Sequence, residues 1–168
     1  MFGHGTSCAS VAAGISTETK LYNTFPVTVT GSAPGADLYV YKASWLPTPE
    51  MANDRHDCQF EDLIDAFKAA IAKEVDVISI SFSLNEDYLL ENAIEVGSYM
   101  AMKANILTVA AAGNNGPMHS TVVNTPPWIF TIGASESDKK FTTSVLIDKK
   151  VYQVIAYSKY LLKILVGP

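Results

Sequence analysis

The sequence predicts an α/β protein in three layers, a mainly parallel sheet with helices on both faces, and three observations carry that expectation. Segments of strand and helix character alternate along the middle of the chain, which is the rhythm of βαβ units. Two of the strand segments, Val75-Asp76-Val77-Ile78-Ser79-Ile80-Ser81-Phe82 and Ile106-Leu107-Thr108-Val109-Ala110-Ala111, are largely apolar and do not alternate strictly, as strands buried on both faces do. Finally, 168 residues at 48% hydrophobic and 17% charged supply a globular interior and enough length for one core.

Taken in order, the elements are these. The run Gly3-His4-Gly5-Thr6-Ser7-Cys8-Ala9-Ser10-Val11-Ala12-Ala13-Gly14 predicts a helix over 6–15 that stops near Gly14. Its small side chains let neighbouring elements approach closely, so it is expected to lie deep in the fold with Cys8 buried. A polar loop reaches Ser32, and after the turn Ala33-Pro34-Gly35 the segment Ala36–Lys42 reads as a strand. A long loop over 44–58 follows. Leu63, Ile64, Phe67, Ala70 and Ile71 recur at helical spacing within 61–73, and a second amphipathic helix is expected over 88–103. After the strand at 106–111 comes the dense turn signal Ala112-Gly113-Asn114-Asn115-Gly116-Pro117. Trp128–Gly133 predicts another strand, and 141–154 one or two antiparallel edge strands about Asp148-Lys149-Lys150. In parallel sheets of this kind, sites form beyond the carboxyl ends of the strands.

Charge and cysteine content narrow the function classes. A net charge of −5 with scattered Lys and Arg disfavours nucleic acid as a partner. No apolar run is long enough to cross a bilayer, so no membrane partner is expected. Cys8 and Cys58 form no disulfide framework, and with His56 and His119 they match no standard zinc spacing; no metal and no cofactor are expected. Met1-Phe2 runs straight into Gly3-His4, so no signal peptide is encoded and the chain reads as a fragment or truncated product.

Five motifs in order then carry a resemblance. The twelve residues from Gly3 to Gly14 closely resemble the active-site histidine segment of subtilisin-like serine proteases. Ala33-Pro34-Gly35-Ala36 with the strand through Lys42 resembles the segment after it, and Val75–Ser81 is similar to the strand that lines the substrate cleft. Ala112–Pro117 resembles the oxyanion-hole turn, and Pro127-Trp128-Ile129 a strand start typical of the plant members. The resemblance runs from Gly3 to about Val151 and implies a partial subtilisin-like peptidase domain over 1–156, with an unplaced tail over 157–168.

What the resemblance implies about chemistry can be stated residue by residue. His4 would be the general base that takes the proton of a serine hydroxyl and returns it to the leaving amine. Asn114 would donate its side-chain amide to the oxyanion, a neutral donor held by a turn at a strand end. Ser81, Phe82 and Ser83 would form one edge of the cleft and pair with an extended polypeptide substrate. Ala111, Ala112 and Gly113 would line the opposite side, around the residue before the scissile bond. It also implies a secreted protein and a cis peptide bond before Pro127, where the chain reverses into its strand.

The sequence departs from the family in two ways. Ser83 and Leu84 stand where glycines are common in the plant enzymes, so their side chains would narrow the cleft. No counterpart of the triad aspartate or of the nucleophilic serine is found in the 168 residues. Gly5-Thr6-Ser7 mimics the nucleophile motif, yet a histidine three residues from a serine cannot reproduce triad geometry. The competing reading is therefore a non-catalytic product, either truncated or retained to bind peptides in the same cleft.

Overall fold

Two amphipathic helices and three short parallel strands build the core, and the computed structural model places them in one unit. It describes residues 3–21, 23, 25–43, 59–82, 92–135, 142–147 and 150–155. One compact unit comprises Met1–Ser16 and Thr30–Ala134, and a second comprises Thr17–Val29 and Ser135–Pro168.

In the first unit, α1 spans His4–Ala13, α2 Phe60–Ala72 and α3 Ala93–Lys103. Helix α2 buries the stripe Leu63, Ile64, Phe67 and Ala70, the spacing read from sequence, and carries Glu61 and Asp62 in its first turn, where the helix dipole favours anions. Helix α3 starts at Asn92, whose Oδ1 accepts the Ile94 N–H at 2.8 Å, an N-cap that satisfies one orphan donor. The two helices meet at Gly97: a Cβ there would lie 2.0 Å from Phe67 Cδ2, so the aromatic ring rests directly on backbone. Residues 88–91, the expected first part of this helix, lie outside the described residues.

Strands β3 (Val77–Ile80), β4 (Leu107–Ala111) and β5 (Ile129–Ile132) follow β1 (Thr17–Leu21) and β2 (Phe25–Val29) of the second unit in the chain and pair in parallel in the order β3-β4-β5. The face carrying Ile80, Thr108, Ala110 and Ile129 is buried, and Ile80, Ala110 and Ile129 share a core with Phe67, Ile94 and Ala101 of the helices. At its edge Trp128 Nε1 donates to Ser98 Oγ at 3.0 Å, and its ring meets Tyr99 edge-on at 5.3 Å. The opposite face presents Val77, Leu107, Phe130 and Ile132 to solvent at 45–59% exposure. Among the described residues no helix covers it.

The structure corrects three expectations. Residues 36–43 form no strand; Leu38, Tyr39, Val40 and Tyr41 are exposed. β-propensity alone does not make a strand without a partner to complete the ladder, and no described strand pairs with this segment. Nor does α1 lie deep: Ala13 is its one buried residue, Val11 is 66% exposed, and Cys8 is half-buried rather than buried. Thirdly, the peptide bond before Pro127 is trans and the cis bond is Gly116–Pro117. The reversal into β5 is made instead by Asn124, at φ 54°, and by the turn bond from Ile129 N–H to Pro126 carbonyl at 3.0 Å.

The second unit holds two antiparallel hairpins. Strand β1 (Thr17–Leu21) pairs with β2 (Phe25–Val29), and β6 (Thr142–Ile147) with β7 (Lys150–Ile155). The latter pair agrees with the sequence reading of 141–154. The tail over 157–168 lies outside the described residues.

Candidate active site

The carboxyl ends of β3 and β4 open into a crevice of about 270 Å³. Ser79, Ile80 and Ser81 form one wall; Val109 to Asn114 form the other, and Ile132 to Ala134 close the far side. Strand β4 enters the turn through Gly113, at φ 87°, where a Cβ would come within 2.8 Å of Val123 Cγ2. Only glycine takes that conformation in that space without strain. The turn is tied down from both sides: Ala112 N–H donates to Ile132 carbonyl at 2.9 Å, and Val123 N–H to Ala112 carbonyl at 3.1 Å.

The structure thus brings together Ser81, Ala111, Ala112, Gly113 and Asn114. Asn114 sits exposed on the rim. Phe82 follows Ser81 at the mouth, 37% exposed, and Ser83 lies outside the described residues. His4 is not among the residues that line the crevice. It is the first residue of α1, exposed, and its Nε2 lies 3.6 Å from Cys8 Sγ one turn on. The helix is held at its other end, where Ser32 and Ala33 N–H groups donate to Val11 and Ala12 carbonyls at 2.8 Å. A second hollow of about 380 Å³, at Leu107 and Pro127 to Phe130, offers no acid, base or nucleophile.

Sequence reading missed Asn124. It is 6% exposed, and its Nδ2 donates to Ala111 carbonyl at 2.9 Å and to Phe82 carbonyl at 3.2 Å. Its own carbonyl accepts the Thr131 hydroxyl. The one signal for it was an asparagine just before Thr125-Pro126-Pro127, a residue type enriched at positive φ in turns.

A parallel α/β sheet with its crevice beyond the strand ends defines the class. The chain belongs to the subtilase family, whose model matches residues 2–160, and that family is one of serine-type peptidases. It is 41% identical over 147 residues to the subtilisin-like protease SBT4.4 of Arabidopsis thaliana, across 86% of this chain and 19% of that protein. It is 39% identical over 144 residues to SBT4.14 of the same plant, across 85% and 18%, and 39% identical over 145 residues to SBT1.2, across 85% and 17%. The chain therefore spans about a fifth of the length of these relatives. Among the described residues no three His, Cys, Asp or Glu side chains group as a metal site, and no helix is long and apolar enough to cross a membrane.

Proposed function

We propose that this chain carries the base and oxyanion parts of a plant serine endopeptidase that hydrolyses polypeptides outside the cell, in a three-layer domain over 1–156. The crevice carries this reading, because its two walls are the ones the family resemblance assigns: Ser81 on β3's side, and Ala111 to Asn114 on β4's. An extended peptide lying along Ser81, Phe82 and Ser83 would pair with that edge as an added strand. The side chain before the scissile bond would point toward Ala111, Ala112 and Gly113. Asn114, on the rim in the turn after β4, would donate its side-chain amide to the oxyanion as the tetrahedral intermediate forms.

His4 would accept the serine proton in attack and give it to the leaving amine. It has to reach the crevice for this, and α1's exposed position makes docking of that helix part of the proposal. The segments that would hold the triad aspartate and the nucleophilic serine have no counterpart among the 168 residues.

Supplying those two segments from an active relative tests the roles. In that chimera His4→Ala is expected to remove nearly all turnover. Asn114→Ala is expected to lower kcat by roughly a hundredfold to a thousandfold with KM little changed, a size taken over from subtilisin itself through the resemblance. Asn115→Ala should do much less; if it proved the more damaging, the assignment of this turn would be wrong by one residue. Hydrolysis by the 168 residues alone, blocked by a serine-directed covalent inhibitor, would instead show that the nucleophile lies within them.

A further inference from the structure

The pairing of β3 with β4 ends at Ile80 and Ala110, and the chain runs on from both into the crevice. Leu107 N–H donates to Asp76 carbonyl at 3.4 Å, so Asp76's carbonyl faces β4, and the two-residue period of a strand turns the carbonyls of Ile78 and Ile80 the same way. By the same period the backbone groups of Leu107, Val109 and Ala111 face β3. Past the last rung the Phe82 and Ala111 carbonyls turn to a common donor. Asn124 supplies it: one carboxamide nitrogen, with two hydrogens, reaches both carbonyls.

We propose that Asn124 is a positioning residue of the cleft, a clamp that fixes the distance between the Ser81–Phe82 wall and the Ala111–Gly113 wall and so sets which substrate side chain fits between them. The inference rests on the peptide-cleft reading above. Three observations make the clamp rigid. Asn124 is buried, its backbone is held at φ 54°, and its carbonyl is held by Thr131 of β5. Its Oδ1 is buried and has no partner, an arrangement that leaves a polar atom unsatisfied while the nitrogen serves both walls. Clamping acts on width, and width acts on selectivity.

The test uses the 168-residue chain in solution and two blocked tripeptide amides, Ala-Ala-Ala and Ala-Ala-Phe, titrated by NMR at a temperature well below melting. Scalar couplings across hydrogen bonds from the Asn124 side-chain nitrogen to the Phe82 and Ala111 carbonyl carbons are expected. Asn124→Gly keeps the positive φ and removes the carboxamide. It is expected to change the ratio of the two peptide affinities at least threefold, and Asn124→Asp, which keeps the shape and loses both donors, should move the ratio the same way. A merely structural asparagine would lower the melting temperature and leave the ratio unmoved. An unchanged ratio in Asn124→Gly, or missing couplings, overturns the proposal. Couplings present in a parent chain that binds neither peptide would overturn the peptide-cleft reading instead.

Discussion

Helices α1 and α3 are both rich in small residues, and they end in opposite environments. Helix α3 is buried along Ala93, Ile94, Gly97, Ser98 and Ala101, while α1 buries Ala13 alone. The difference is not volume. In α3 the small residues flank Ile94, which is fully buried, and Gly97 admits Phe67 from α2, so close approach is coupled to burial of large apolar area. Helix α3 also starts on the Asn92 cap, whereas α1 starts on Gly3 at φ 70° with no side-chain cap. Small side chains permit close packing; they do not drive it, because the driving force scales with the apolar area removed from water.

That contrast can be broken at its strongest point first. Phe67→Ala should cost about 3–5 kcal/mol in urea unfolding, since the ring fills the space over Gly97 and joins the helices to the sheet. Next, Asn92→Ala is expected to lower stability by about 1 kcal/mol by removing the cap of α3, measured as a fall in urea midpoint with unchanged slope. A gain of about 1 kcal/mol is expected from Thr108→Val, because Thr108 Oγ1 is buried with no partner and valine has nearly the same shape. The smallest effect belongs to α1, where Val11→Ser should change stability by less than about 0.5 kcal/mol. A loss comparable with Phe67→Ala would mean that α1 is packed in solution, and the contrast between the two helices would fail.

Periodicity made much of the first unit legible. The stripe on α2, the strands at 77–80, 107–111 and 129–132 and the turn after Ala111 all follow from the spacing of apolar residues and from Gly and Asn in sequence. The crevice walls were legible too, because residues at the carboxyl end of a strand stay together whatever else the chain does. What was not legible depended on distant partners. The segment 36–43 has strand composition and no described strand beside it, and the burial of α1 was read from residue size when it depends on what packs against the helix. Asn124 escaped for a related reason: its role comes from two carbonyls 42 and 13 residues away in sequence, and no local pattern encodes them.

The single-sided pairing of β3 and β5 has a consequence for the molecule in company. Among the described residues no strand pairs with the outer flank of β3 or β5, so each offers a row of backbone donors and acceptors there, beside a half-exposed apolar surface at Val77 and Phe130. Such a flank recruits whatever extended chain is nearest. At low concentration that can be a peptide; at high concentration it is another copy, and edge-to-edge growth has no built-in stop. Turbidity of the 168-residue chain should therefore rise steeply with concentration, and an extended peptide that occupies the β3 flank should delay it.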